Sequence, residues 1–150
     1  MKRIAWILYI CFSVFCMNGC SVQSDIPRGY VSKEEYFDKN GWQDFTDYCK
    51  YYYSSTPVME DSQYRMITES DVEDIKGYFS DFQRWMEAAN RMEEYDFDES
   101  CITAGDYVRI RTKEGKPIGS EGHTYGKYDN YTLYFFDVDS NVLFYIHSNI

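Results

Sequence analysis

Basic residues are scarce in this chain, which has 15 Lys and Arg against 25 Asp and Glu in 150 residues. The formal net charge is −10. Capture of a nucleic-acid backbone needs a basic face, so we expect no nucleic-acid partner. Hydrophobic residues make up 44% of the chain. That fraction is enough for a packed core and excludes a chain that is disordered throughout.

Metal-ligand patterns are also lacking. The candidate zinc ligands are His123, His147, Cys49 and Cys101, and no pair of them has a spacing such as C-x2-C or H-x3-H. Asp137 opens a D-x-D-x-N run like the start of an EF-hand loop, but the Gly and Glu that this loop requires later are missing. A turn rich in Asp and Asn explains the run better. We therefore expect no metal and no cofactor.

Motifs for nucleophilic catalysis are missing as well. The chain has neither a G-x-S-x-G motif nor a Gly-rich phosphate loop. Ser120 and His123 are close in sequence, but such closeness does not make a catalytic triad. The many carboxylates leave a glycosidase-like pair open, although nothing selects two of them. The sequence favours a non-enzymatic protein without catalytic residues.

Residues 4–17 form an uncharged, largely apolar run of 14 residues. A helix that spans a bilayer needs about 20 such residues, so this run is short for an anchor. It follows the basic residues Lys2 and Arg3, as the apolar region of a secretory signal does. The sequence therefore predicts that residues 1–19 are a signal peptide.

The run ends in Met17-Asn18-Gly19-Cys20, which resembles the lipobox of bacterial lipoproteins. Gly19 and Cys20 match the motif, whereas Met17 and Asn18 are less usual at their positions. The resemblance implies that Cys20 is diacylated, becomes the new N-terminus and anchors the protein in the cell envelope, on the extracytoplasmic face of a bacterial membrane. Two acyl chains suit stable anchoring, since one binds only marginally. A plain secretory signal and an uncleaved anchor are the alternatives, and inner or outer membrane stays open.

Cleavage before Cys20 would leave 131 residues, of which 13 are basic and 25 acidic, with a net charge of −12. The two remaining thiols, Cys49 and Cys101, would lie in an oxidising compartment, which favours a disulfide between them. Such a bridge closes a loop of roughly 50 residues, worth about 4 kcal/mol in the chain-entropy model. The alternative is two buried thiols that never meet, because free Cys is among the most buried residue types.

The first part of the mature chain carries helical patterns. Polar residues 20–29 are typical of a tether, and residues 30–150 are expected to form a single domain. A capping box predicts a short helical turn over residues 32–37, and apolar spacing predicts a helix over residues 42–53. The consecutive tyrosines at 51–53 would also suit a strand.

The strongest pattern lies between Val72 and Met92, where apolar residues recur at steps of three and four. Tyr78 and Trp85 widen the same stripe. The pattern predicts a long amphipathic helix over residues 71–92 with one buried face.

Beyond this helix the pattern changes to strict alternation. Residues 107–112 alternate, and residues 131–136 and 142–147 predict a hairpin. N-terminal helices followed by a C-terminal antiparallel β-meander predict an α+β fold. The stretches FDKNGWQDFTDYCKYYY and YFFDVDSNVLFYIHSNI are similar to small uncharacterised proteins of Gram-positive gut bacteria, a resemblance that implies no activity.

Negative charge is concentrated in residues 69–99, which hold 11 acidic and 3 basic residues. Five carboxylates crowd the predicted end of the long helix, where the macrodipole disfavours them. They are Glu93, Glu94, Asp96, Asp98 and Glu99. They form either a solvated surface or a docking surface for a basic protein partner.

Aromatic residues are abundant: the mature chain would hold 25, of which 15 are Tyr. These rings either fill the core or form a surface that stacks on sugars or grips a protein. The leading hypothesis is a membrane-anchored, non-enzymatic lipoprotein that binds a protein partner, in the manner of an inhibitor or immunity protein. The alternative is an extracytoplasmic module that binds a small ligand or a glycan.

Overall fold

The computed structural model describes residues 25–37, 45–59 and 63–149. Its strands are β1 (Ser32–Phe37), β2 (Phe45–Tyr52), β3 (Arg65–Met66), β4 (Tyr107–Thr112), β5 (Pro117–Ile118), β6 (His123–Thr124), β7 (Asn130–Asp137) and β8 (Val142–Asn149). The α-helix is α1 (Val72–Ala88), and two short 3-10 helices cover Met92–Glu94 and Glu99–Cys101.

Six strands form one antiparallel sheet in the order β1-β2-β8-β7-β4-β3, and β5 and β6 form a separate two-stranded ribbon. The predicted hairpin is present as β7 and β8, with Leu133 opposite Ile146. Over the described ranges α1, with 17 residues, is the one α-helix. The fold is therefore mostly β, and the predicted α+β class with several N-terminal helices is wrong.

The first two predicted helical elements are strands β1 and β2 instead. β2 lies between two strands, with Cys49 opposite Glu35 of β1 and opposite Tyr145 of β8. Tyr48 packs in the core beneath α1, whereas the next residue, Cys49, packs in the core on the opposite face. Because both faces of β2 are covered, its apolar residues do not alternate with polar ones. Their spacing then imitates that of an amphipathic helix.

The predicted long helix is present, but it ends at Ala88 rather than at Met92. Asn90 has a φ of 55°, a left-handed conformation that is common where a helix ends. Met92 instead opens the first 3-10 helix. The predicted buried stripe exists in α1, where Ile75, Phe79 and Phe82 are fully buried.

The sheet separates two apolar cores. On the side that we call the helix face, α1 and the chain after it cover the sheet; this core includes Phe79, Phe82, Tyr95, Phe97, Leu133, Phe135 and Ile146. On the other side, the strap face, the core includes Ile26, Cys49, Tyr51, Tyr53, Tyr134, Leu143 and Tyr145. Both cores are rich in rings that meet edge to face or stacked, which is a favourable packing of aromatics.

Residues 25–31, which we call the strap, pack on the strap face. Asp25 and Ile26 are each only 7% exposed. The Tyr53 hydroxyl donates to the Pro27 carbonyl at 2.7 Å, and the Val31 amide donates to the Tyr52 carbonyl at 2.7 Å. The predicted tether over residues 20–29 therefore overlaps the packed domain from Asp25 onward.

Within the described parts of the chain, no helix combines the length and the apolar character needed to cross a membrane. The predicted signal peptide and Cys20 lie outside the described residues.

Candidate functional site

The five carboxylates singled out by the sequence lie together on the helix face, in the segment that follows α1. Tyr95 and Phe97 point into the core and are buried, whereas Asp96 and Asp98 between and after them are exposed. Phe97 stacks on Phe79 of α1, with ring centroids 3.8 Å apart. The two buried rings therefore fix the acidic segment against the sheet and the helix.

Asp96 is held by two side chains of β2. The Tyr48 hydroxyl donates to one carboxylate oxygen at 2.8 Å, and the Lys50 ammonium lies 2.7 Å from the other. Lys50 also pairs with Glu34 of β1 at 2.6 Å, and its own side chain is 10% exposed. Burial lowers the pKa of Lys50, but the hydrogen bonds from its ammonium to the two carboxylates outweigh burial and raise it. Burial raises the pKa of Asp96, but the hydrogen bonds that it accepts from Lys50 and Tyr48 outweigh that effect and lower it.

Three of the other carboxylates have local partners. Glu94 pairs with Arg91, Asp98 accepts a hydrogen bond from the Ser100 amide at 2.9 Å, and Glu99 accepts one from the Ser80 hydroxyl of α1 at 2.7 Å. The backbone hydrogen bond to Asp98 lowers the pKa of its carboxyl. The acidic segment is therefore an ordered surface with fixed charges. Because α1 ends at Ala88, these carboxylates lie beyond its last turn, where the macrodipole effect has fallen off.

Two large apolar side chains on the helix face are also exposed. Trp85, in the last turn of α1, is 39% exposed, and Met92, at the start of the 3-10 helix, is 38% exposed. The sequence pattern assigned both to the buried stripe, and that assignment is wrong. We call these two residues, together with the exposed carboxylates Glu93, Asp96 and Asp98 of the helix face, the acidic-apolar surface. Sequence periodicity did not indicate that either would be exposed, because α1 ends before Met92 and Trp85 lies at the margin of the stripe.

A second polar cluster, which the sequence did not indicate, lies on the strap face. Asp25 meets Arg109 at 3.0 Å and Arg111 at 2.6 Å, both from β4. The Arg109 guanidinium lies over the rings of Tyr64 and Tyr134, at 5.9 and 5.7 Å from their centroids. Arg109 is 3% exposed, so this is a buried ion pair. Asp25 falls in the predicted tether, so the sequence did not indicate a carboxylate partner for these arginines.

The structure does not bring the two cysteines together. Cys49 is buried on the strap face and Cys101 packs against the core of the helix face. Among the described residues both are free thiols, Cys49 buried and Cys101 half-buried. Burial raises the pKa of each thiol to about 12.

The tyrosines serve mainly as core residues. Those that are buried are Tyr48, Tyr51, Tyr53, Tyr78, Tyr95, Tyr131, Tyr134 and Tyr145. Most of the hydroxyls that lie within these cores find partners, for example Tyr131, which donates to the Tyr78 carbonyl at 3.0 Å. The aromatic load of the chain is thus explained largely by its two cores.

The candidate metal ligands stay apart. No group of three or more His, Cys, Asp or Glu side chains suited to a metal ion occurs in the described ranges. The Asp137 carboxylate accepts hydrogen bonds from Asp139 and Ser140, so the EF-hand-like run is the turn between β7 and β8. His123 is exposed in β6, and His147 of β8 shares a hydrogen bond of 2.9 Å with the Thr132 hydroxyl.

The chain matches no protein-family model, no curated protein and no solved structure.

Proposed function

We propose that this protein is an extracytoplasmic lipoprotein, anchored by lipid on Cys20, whose domain binds a basic protein partner without catalysis. The basic start, the apolar run of 14 residues and the Gly19-Cys20 pair support the lipid anchor. The excess of acidic residues supports a partner of positive charge, because complementary charge speeds encounter and selects partners.

The observation that carries the binding proposal is the acidic-apolar surface. Binding energy at protein interfaces comes mainly from a few large side chains, with Trp prominent among them, surrounded by polar groups. Trp85 and Met92 offer such apolar anchors, and the carboxylates Asp96 and Asp98 of the same face are held by fixed contacts. A surface that is ordered before binding loses less conformational freedom when the partner arrives.

The partner class follows from this chemistry. A basic secreted enzyme or toxin that offers both apolar pockets and Lys or Arg side chains would complement the apolar and acidic residues of this face. A lipid-anchored binder of that kind would act as an inhibitor or immunity protein at the cell surface.

The experiment is capture of basic secreted proteins by the immobilised chain, residues 21–150, with the rate of association measured at several salt concentrations. A double variant, Trp85→Ala with Met92→Ala, should weaken binding by about 2 kcal/mol or more, or roughly 30-fold in Kd. Glu93→Gln should slow association and reduce its salt dependence, since it removes one exposed charge.

Glu121→Gln is the matched control, because it makes the same charge change in an exposed loop far along the chain from this surface. A partner whose affinity is unchanged by the variants at Trp85, Met92 and Glu93 would show that binding takes place on another surface. Failure to capture any partner from the cognate envelope and secreted fractions would contradict the binding proposal.

A further inference from the structure

The strap and the lipid attachment point together determine how the domain stands on the membrane. Resting on the proposed lipid anchor at Cys20, we infer that the strap face is turned toward the lipid headgroups. The helix face, with its acidic-apolar surface, then points away from the bilayer toward the partner. The juxtaposition that carries this inference is the burial of Asp25, only five residues after Cys20, in a cluster on the strap face.

The strap is fixed to the sheet through Asp25. Its carboxylate lies 3.0 Å from Arg109 and 2.6 Å from Arg111, and the Tyr64 hydroxyl donates to its carbonyl at 2.9 Å. Arg109 also donates a hydrogen bond to the side-chain oxygen of Gln63. A carboxylate buried between two guanidiniums is released only at a large cost, because withdrawal would leave Arg109 buried without it.

The position of the strap is fixed over its whole length. Ile26 packs in the core of the strap face, and hydrogen bonds hold Pro27 to Tyr53 and Val31 to Tyr52. The chain therefore emerges from the domain at Asp25, beside β4 and β7, and not from the distant β1 edge.

The alternation of side chains along β4 shows on which side of the sheet Asp25 lies. In β4, Val108 and Ile110 pack in the core under α1, whereas Arg109 and Arg111 meet Asp25. Successive side chains of a strand point to opposite faces. Asp25 and α1 therefore lie on opposite sides of the sheet.

The short reach of the chain between Cys20 and Asp25 excludes an orientation in which α1 lies on the bilayer. Five Cα steps from Cys20 to Asp25 span at most about 18 Å when fully extended. To lay α1 on the bilayer, those residues would have to pass around the sheet and across the helix layer. The combined thickness of the sheet and the helix layer is roughly 20 Å, given ordinary helix diameters and layer spacings. The strap face can meet the bilayer within the available length, and the helix face cannot.

The chemistry of the strap face suits lipid phosphates. Arg111 is 53% exposed as a side chain even though it pairs with Asp25, and Arg28 on the strap is exposed. Guanidinium groups bind phosphate oxygens through two parallel hydrogen bonds. The acidic carboxylates of the opposite face are kept away from anionic lipid, which would repel them.

The test measures energy transfer from two fluorophore positions to acceptor dyes on lipid headgroups. The full chain carries Cys101→Ser, is isolated as the lipoprotein and is placed in vesicles of phosphatidylcholine and phosphatidylglycerol. One version carries the donor at Arg28→Cys on the strap, the other at Glu87→Cys near the end of α1. We expect at least about twofold stronger donor quenching at position 28 than at 87, because the link spans at most about 18 Å.

A longer link provides the decisive variant without touching the folded domain. Twelve Gly and Ser residues inserted between residues 24 and 25 should bring the two quenching values close together, since a flexible chain of that length lets the domain turn. The same insertion after Gly119, in an exposed turn, should leave the difference unchanged. Equal quenching at both positions in the parent chain, or stronger quenching at position 87, would overturn the inference.

Vesicle flotation separates this inference from the lipid anchor. A chain that does not float with vesicles contradicts anchoring at Cys20. The orientation is then tested on residues 21–150. The N-terminal Ser21 is oxidised to an aldehyde and coupled to a lipid with an aminooxy headgroup. Donor quenching is measured at positions 28 and 87 as before, and the same two results support or overturn the inference.

Discussion

Buried charges with several partners hold the strap and the acidic segment in place. Arg109 and Lys50 each contact a carboxylate that is distant in sequence, and these contacts join the strap to β4 and the acidic segment to β2. Such groups are costly when one partner is removed, because the remaining charge stays buried without compensation.

Asp25→Ala should therefore destabilise the domain by about 3 kcal/mol or more in its free energy of unfolding. Urea denaturation measures the change. The control is Glu35→Gln, which breaks the more exposed Lys33–Glu35 pair of 2.7 Å and should cost less than about 1 kcal/mol. Equal costs for the two variants would show that the Asp25 cluster does not hold the strap.

The two thiols provide a second prediction at this scale. In the purified protein, in which the proposed lipid would occupy the Cys20 thiol, Cys49 and Cys101 should resist thiol reagents at pH 8, because burial raises the pKa of each to about 12. Both should react at once in denaturant without any reductant. Thiols that appear only after reduction would instead establish the disulfide that the sequence favoured.

His147 gives the fold a pH dependence. Burial lowers its pKa, and the charge of Lys113 lowers it further. The unfolded chain then takes up a proton more readily than the folded one, so the His147 contribution is complete above about pH 6.5 and is lost as the pH falls toward the folded pKa. Stability should therefore decline from pH 7.5 to 5.5.

Urea titrations of His147→Gln should show a clearly smaller decline over that range. His123→Gln, in the exposed β6, is the matched variant and should behave like the parent chain. If His147→Gln keeps the full decline, the pH dependence arises elsewhere.

At the scale of elements, α1 and the β7–β8 hairpin were predictable because each carries a clear period. α1 has one buried stripe, and the hairpin strands are bounded by a turn whose Asp and Asn residues have specific roles. β1 and β2 were not predictable. β2 is covered on both sides, and β1 is an edge strand with the charged run Lys33-Glu34-Glu35, so neither alternates between apolar and polar residues.

The packing of α1 on the sheet should dominate the stability of the helix face. Phe79 is fully buried and contacts Phe97 and Phe135. Phe79→Ala should lower the free energy of unfolding by about 3–5 kcal/mol. Gln83→Ala, one turn along the same helix, should change it by less than about 0.5 kcal/mol. Comparable losses would mean that α1 is not packed as described.

The candidate site was predictable only in part. The acidic residues at positions 93–99 could be located from charge alone. Met92 could not, because its exposure follows from the end of α1 at Ala88 and the turn at Asn90, and Trp85 could not, because it lies within α1 at the margin of the buried stripe. The Asp25 cluster was hidden for a different reason: its partners are 84 and 86 residues apart from Asp25, and only the sheet brings them together.

At the scale of the whole molecule, the two faces of the sheet have different tasks. The strap face takes the N-terminal segment and joins the domain to its proposed anchor, and the helix face presents the acidic-apolar surface. This division has a function only if the chain is attached through a residue close to the start of the strap. The proposed lipid on Cys20, five residues before Asp25, meets that condition.

The most direct measurement is the mass of the N-terminal peptide of the protein from bacterial membranes. The mature chain should begin at Cys20 and carry diacylglycerol there. Cys20→Ala should remain unprocessed, with residues 1–19 attached, whereas Cys16→Ala should be processed normally. A mature N-terminus at another residue, or an unmodified Cys20 in membrane-bound protein, would contradict lipid anchoring at Cys20.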